Sequence, residues 1–365
     1  MKYNLFTLGE LVTIKYGKNQ KKVQSEDGVI PIYGTGGLMG YATEALYSKP
    51  SVLIGRKGTI NKVRYVDHPF WTVDTLFYTE VNEALVIPKY LYYLMSLLDL
   101  DSYNEGTTIP SLRTETLNRL EFDIPDLDYQ EKVLSMLEPI DMKIKLSEEV
   151  NENLLQQAGA IFNKFYDESS NQQPFTSLID VLGGGTPKTG NPDFWNGPIP
   201  FFTPKDVGAP YTFQTEKYIT ESGLTHCNSR LYQKDTTFVT ARGTVGKVSL
   251  AGTPMAMNQS CYALASETVD PLLVYFYVLK AVASLKHKAS GAVFDAIVTR
   301  DFDGETINVL SDDEAKSVLA IIKPMMESIH NNSEENIRLA ALRDSLLPRL
   351  MSGELDISAP GPLSR

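Results

Sequence analysis

GRKGTINKV, Gly55–Val63, is answered later in the chain by ARGTVGKV, Ala241–Val248. Lys57-Gly58-Thr59 falls on Arg242-Gly243-Thr244 and Lys62-Val63 on Lys247-Val248, an offset of 185 in a chain of 365 residues. The same offset aligns Gly106-Thr107-Thr108-Ile109 with Gly291-Ala292-Val293-Phe294, and Phe122 and Ile124 with Ile307 and Val309. It also aligns Pro139 with Pro324 and Asn151 with Asn336. Upstream the offset shrinks to 169, where IPIY at Ile30 meets IPFF at Ile199, so the second copy carries about sixteen extra residues between Phe202 and Thr236. Self-similarity at a fixed offset marks a duplicated structural unit.

Each unit has a front and a back. The fronts, 1–127 and 169–311, are rich in Gly, Pro, Thr and aromatics. Short mixed runs such as KPSVLIG and DTTFVTA predict irregular β-sheet with long loops, and KYLYYLMSLL and DPLLVYFYVLKAVASLKH predict short helices. The backs, 128–168 and 312–352, are heptad seams. Val133, Leu137, Ile140 and Ile144 lead the first, and Val318, Ile322, Met325 and Ile329 the second. Both seams break at the same place into polar residues, Ser147 and Asn151, then Asn332 and Asn336. In antiparallel helices these would face one another and set the register. Pro139 and Pro324 predict a kink, or a short helix leading into a long one. The fold class that follows is α+β: two similar domains separated by two long antiparallel coiled-coil helices, in a pseudo-twofold internal repeat. A helix from Pro139 to Asp167 would run roughly 43 Å, serving as a ruler between two heads or as a dimerisation stalk. The remainder, 353–365, reads as a tail.

Composition limits what the chain does. With 42% hydrophobic and 22% charged residues it is an ordinary globular composition. No apolar run approaches a membrane span, the N-terminus has no signal-peptide pattern, and two cysteines make no disulfide framework. A cytoplasmic, non-membrane protein is expected. The net charge of −11 argues against indiscriminate coating of nucleic acid. The charge is uneven, however: Lys18–Arg64 holds eight basic residues against three acidic ones. Such a local basic face suits DNA.

Several motifs suggest chemistry. NPDFW at Asn191 resembles the target-amine loop of amino-methyltransferases, but Asp193 stands where that loop has its second proline, and a turn holding a buried aromatic fits better. GTGGLMG at Gly34 has neither dinucleotide spacing nor a following Lys-Ser/Thr, and reads as a flexible loop. GGGTPKTG at Gly183 reads as an exposed turn. His68, His226, His287 and His330 are scattered without metal-ligand spacing, and no nucleophile has recognisable surroundings. Neither catalysis nor a metal is expected of this chain alone.

The basic phrases differ. Arg56, Lys57 and Lys62, with Arg242 and Lys247 in the second copy, sit beside glycines that allow close backbone approach. Lys18, Lys21, Lys22, Lys188 and Lys205 lie in neighbouring loops, as do the candidate threonines Thr35, Thr59, Thr186, Thr203 and Thr244. Lysine and arginine bind phosphates, and arginine takes guanine by two hydrogen bonds. Each alone is as consistent with a solvated surface charge. Together they point to a DNA face.

Three stretches resemble the specificity (S) subunit of Type I restriction–modification systems. They are FTSLIDVLGGGTPKTGNPDFWNGPIPFFTPKDV from Phe175, the helix from Gln130 to Glu168, and ALRDSLLPRLMSGELDI from Ala341. The resemblance runs from Leu5 to about Ile357. It implies that each front is a target recognition domain reading one half of a split, asymmetric site in double-stranded DNA. It further implies that the paired helices set the gap, and that two modification subunits bind, carrying S-adenosylmethionine and methylating a flipped adenine. Restriction subunits using ATP and Mg would complete the assembly, with no cofactor on this chain. The first copy departs from the family pattern in having YGKNQKKV where the second has GGGTP. Two other classes compete with this reading, a degenerate or fused methyltransferase and a coiled-coil scaffold that does not bind DNA.

Overall fold

Gly58 and Gly243 both adopt positive φ, +92° and +81°, a conformation open to glycine without strain. The computed structural model describes residues 3–208, 210–288, 296–355 and 357. Around these two glycines the backbone wiring is duplicated. The N–H groups of Arg56 and Lys57 donate to the Thr75 carbonyl, and those of Ala241 and Arg242 donate to the Ser260 carbonyl. Leu112 N–H donates to the Arg56 carbonyl as Ile297 N–H does to that of Ala241. Each corresponding pair is 185 residues apart. The matches Gly291–Phe294 lie outside the described residues.

The strands follow. In the first copy Val12–Tyr16, Leu76–Val81, Ser51–Gly55 and Val63–Val66 form a four-stranded sheet in that order. Gly37–Ala42, Ile30–Gly34 and Trp71–Thr72 form a three-stranded one. In the second copy Asp180–Gly183, Cys261–Ala265, Thr237–Thr240 and Val248–Ala251 repeat the first sheet, and Tyr211–Thr212 adds a fifth strand. Tyr218–Ile219, Trp195–Phe202 and Ala256–Met257 repeat the second sheet. The central strands Ser51–Gly55 and Thr237–Thr240 are buried throughout, as their mostly apolar or β-branched character requires, with the Ser51 hydroxyl satisfied by the Thr79 carbonyl at 2.8 Å.

The register locates the insertion. Pro31 opposes Tyr41 in the first copy and Pro200 opposes Tyr218 in the second, so the offset is 169 on one strand and 177 on the next. Eight extra residues therefore lengthen the hairpin connection, which carries the added strand. Eight more follow Ile219, where the short helix Glu221–Thr225 sits.

Each copy also has its packing helix, Pro88–Ser96 and Pro271–Lys288, both opened by a proline at the first turn. The two long helices are Leu127–Glu168 and Asp312–Met351. The chain divides into two compact units, one of Met1–Lys143 with Leu339–Arg365 and one of Ile144–Arg338. Each unit thus holds a front domain and a length of both long helices. In the first unit the helices run antiparallel, with Tyr129 Oη donating to the Leu350 carbonyl at 3.0 Å and Arg343 Nη1 donating to Asp141 Oδ1 at 2.9 Å. In the second unit Asn332 Nδ2 donates to Asn151 Oδ1 at 2.8 Å, and Asn336 Nδ2 to the Ile144 carbonyl at 3.4 Å. Ser147 is buried. Asn151 Nδ2 also reaches Ser333 Oγ at 3.2 Å, a partner outside the heptad seam.

Three expectations need correction. No short helix precedes a longer one at Pro139: a single helix runs through it, and another runs through Pro324. Both prolines lie on exposed faces, so the carbonyl each leaves without a donor is open to water, while Val133 and Leu137 hold the opposite face buried. GTGGLMG is not a flexible loop. Gly34 ends one strand, Thr35-Gly36 turns, and Gly37–Ala42 pairs back as an edge strand. GGGTPKTG is only partly an exposed turn. A Cβ on Gly184 would collide with the Asn258 carbonyl oxygen, and one on Gly17 with that of Val73, the residue equivalent to Asn258. Tyr16-Gly17 therefore does in the first copy what Gly183-Gly184 does in the second. The tail beyond Ile357 lies outside the described residues.

Candidate nucleic-acid interface

In both units the repeated basic loop lies beside the connection that leaves the hairpin's first strand. A Cβ on Gly58 would sit 3.6 Å from Thr35 Oγ1, and one on Gly243 would sit 3.8 Å from Pro204 Cβ. The two loops enclose a groove. In the first unit it measures about 160 Å³, and Thr35, Thr59, Lys62 and Arg64 are among its lining residues. In the second it measures about 350 Å³, lined among others by Thr203, Lys205, Glu216, Lys217 and Arg242. Lys205 stands where the first groove has Gly36, and Glu216 and Lys217 join the lining from beyond the lengthened connection.

Arg64 and Lys217 went unnoticed in the sequence. The Arg64 guanidinium lies over Tyr33, 5.3 Å from the ring centroid. Burial holds the Tyr33 phenol above its ordinary pKa, with Arg64 pulling the other way. Lys217 lies over Trp195 at 5.7 Å. Arg64 stands two residues beyond Lys62, on the strand that follows the basic loop, so a signal existed. By the strand register Lys217 stands where the first copy has Gly40, so no matching charge marks it.

The other candidate residues scatter around these grooves. Lys18, Lys21, Lys22, Lys57, Lys188 and Lys247 are exposed but line neither. Trp71 Nε1 donates to the Lys18 carbonyl at 2.9 Å and Trp195 Nε1 to the Lys188 carbonyl at 3.4 Å, which pins each lysine's backbone and leaves its side chain exposed. Arg56 is held inward: Nη1 donates to the Asp74 carbonyl at 2.9 Å, and the guanidinium rests 5.1 Å from the Tyr16 ring. Lys205 pairs with Glu216 at 3.6 Å, both well exposed, and such a pair adds little to stability. Three threonines serve loop shape. Thr203 Oγ1 donates to Asp206 Oδ2 at 2.6 Å, Thr244 Oγ1 to the Pro204 carbonyl at 3.3 Å, and Thr186 Oγ1 to Gln259 Oε1.

Asn191 of NPDFW accepts the Asp193 N–H at 3.2 Å and starts a short 3₁₀ turn. Phe194 stacks on His226 at 4.9 Å, and both aromatics of the motif are half-buried. Among the described residues no group of three or more His, Cys, Asp or Glu could hold a metal ion, and no helix is long and apolar enough to cross a membrane. Burial pushes the Cys261 thiol up to about 12, so at neutral pH it stays protonated and unreactive.

Comparison with known proteins agrees with this duplicated architecture. The chain is 21% identical over 342 residues to the Type I restriction enzyme MjaIX specificity subunit of Methanocaldococcus jannaschii, covering 86% of this chain and 79% of that one. It is 22% identical over 379 residues to the HindI specificity subunit of Haemophilus influenzae, covering 78% and 81%. The S subunit of a Type-I restriction-modification system from M. genitalium has the same fold, with a TM-score of 0.61 at 14% identity over 96% of both chains. These relatives do not favour a fused methyltransferase or a bare scaffold. The family model for the Type I restriction modification DNA specificity domain matches residues 1–156 and again 174–339; two matched domains on one chain, each with its own basic groove, make this a Type I specificity subunit, whose work is DNA sequence recognition.

Proposed function

We propose that each unit reads one half of a split, asymmetric site in double-stranded DNA, with the groove between the hairpin connection and the basic loop as its contact surface. The observation that carries this is that both grooves open on the same stretch of the hairpin connection, Gly34, Thr35 and Gly36 in the first unit and Thr203, Pro204 and Lys205 in the second, facing the repeated basic loop, which contributes Thr59 and Lys62 in one and Arg242 and Gly243 in the other. Lys62, Arg64, Arg242 and Lys217 are assigned to DNA directly. The exposed lysines 18, 21, 22, 57, 188, 205 and 247 are assigned to flanking phosphates, where charge positions the protein without reading sequence. Ser147, Asn151, Asn332 and Asn336 fix the register of the paired helices. Two modification subunits with S-adenosylmethionine supply adenine methylation, and restriction subunits supply ATP- and Mg-dependent cleavage. The chain itself contributes recognition and no catalytic group. The acidic balance of −11 implies that tight binding needs those partners.

The test is methylation sequencing of a host with and without this gene, followed by gel shifts of the assembled methyltransferase on the motif found. Lys62→Glu and Arg242→Glu are expected to weaken binding about tenfold each while leaving assembly intact. A phosphate contact weakens all sequences alike and lowers the salt slope by about 1; a base contact relaxes one position of one half-site. Unchanged binding in both variants at moderate salt rejects the assignment.

A further inference from the structure

The two grooves differ in one respect that charge does not explain. The first is bordered by exposed apolar side chains and the second is not. Leu38 and Met39 stand at the tip of the hairpin Ile30–Ala42, 53% and 54% exposed. Met39 lies across Gly34, a residue that lines the groove, where a Cβ would collide with its Sδ. Arg64 flanks the other side, its Nη2 3.3 Å from where a Cβ on Gly37 would be. At the matching place the second unit presents Lys205, Glu216 and Lys217, with no exposed large hydrophobic side chain among the described residues there.

An exposed apolar pair on an edge strand invites aggregation unless it has an occupant. Lys62 and Arg64 beside it name an anionic one. A two-stranded β-ribbon fits the DNA major groove. There the one apolar feature on any base edge is the C5-methyl group of thymine. We propose that Leu38 and Met39 read thymine methyl groups in the major groove of the half-site bound by the first unit, while the second unit reads its half without apolar contacts. The inference rests on the proposed function and deepens it.

The experiment uses the full chain in its methyltransferase assembly, on duplexes of the methylated motif. Each thymine is replaced in turn by deoxyuridine, which removes the methyl and nothing else. The expected result is a loss of about fourfold per contacted methyl, confined to one half-site. Leu38→Ala and Met39→Ala should bind the parent duplex more weakly by a similar factor and be indifferent to the deoxyuridine at their own position. Deoxyuridine tolerated throughout, losses that persist undiminished in the variants, or a half-site pair lacking thymine would each overturn the proposal. So would loss of assembly in the variants, which would make the patch a contact for a protein partner. Arg242→Glu separates the two levels: if it weakens binding while deoxyuridine has no effect, DNA recognition stands and thymine reading fails.

Discussion

The two units join their packing helix to the long helices in opposite chemistries. In the first, Asp141 on the central helix accepts the Tyr93 Oη at 2.5 Å and Arg343 Nη1 at 2.9 Å, and lies 3.6 Å from Lys89 Nζ. That ammonium is 4.6, 5.0 and 5.3 Å from the ring centroids of Tyr65, Tyr92 and Tyr93. Burial, then the bond to Asp141, raises the Tyr93 pKa well above the ordinary phenol range. The equivalents of Lys89, Tyr93, Asp141 and Arg343 in the second unit are Val274, Val278, Met326 and Ala158, all buried in one apolar cluster. Backbone geometry survived the duplication, and the joint was exchanged as a set. The energetics explain why. A buried ionic cluster is roughly break-even with well-packed apolar residues of similar volume, whereas removing one member leaves a charge uncompensated. Whole sets are interchangeable and fragments are not.

That comparison can be broken at three depths. Its readout is convenient, because the chain has two tryptophans, Trp71 in the first unit and Trp195 in the second, so a Phe substitution at either leaves fluorescence to report one unit. The largest effect is expected from Met326→Ala, a cavity in a closed apolar core, at about 2–5 kcal/mol in urea unfolding followed by Trp195. Asp141→Ala should cost about 2 kcal/mol by Trp71, moderated because Asp141, Lys89 and Arg343 keep 23%, 20% and 27% of their side-chain surface exposed. The decisive variant then carries Lys89→Val, Tyr93→Val, Asp141→Met and Arg343→Ala together. It should recover stability relative to Asp141→Ala. A quadruple variant as unstable as the sum of its single losses would show that the joints are not exchangeable.

These joints also mark where sequence reading stops. The duplication was legible because its most demanding positions recur as identical residues: Gly58 and Gly243 need positive φ, and the prolines and asparagines of the long helices repeat at one offset. The helices were legible from their seams. Asp141 against Met326 and Lys89 against Val274 look like noise to an alignment, because their meaning lies in partners over a hundred residues away. The equivalence of Gly17 and Gly184 was hidden differently. The offset is 167 there, 169 at Ile30 and 185 after the insertion, and one glycine in a loop cannot reveal such a step. The hairpin at Gly34 was read as a loop because four of its seven residues, Gly34 to Gly40, are glycine, although the edge strand they form buries little side-chain surface and needs few bulky residues.

The finest test uses thiols, since both cysteines lie in the second unit. Cys227 is half-buried, its thiol donating to the Leu224 carbonyl at 3.5 Å. Cys261 is fully buried in the five-stranded sheet, and burial, reinforced by Asp206, pushes its pKa up to about 12. An alkylating reagent at pH 8 should therefore modify Cys227 in the native chain and reach Cys261 only when the sheet opens. The sign of the pH effect follows. Above about pH 8.5 the unfolded thiol ionises while the folded one stays protonated, so the unit loses stability as pH rises from there toward 12, and Cys261 labelling accelerates. Met326→Ala should speed Cys261 labelling by about 30-fold for each 2 kcal/mol lost. Asp141→Ala, which disturbs the other joint, should change it by less than about threefold. Equal acceleration in both variants would mean that the sheet opens only when both units open, and the two joints would then hold one cooperative structure instead of two.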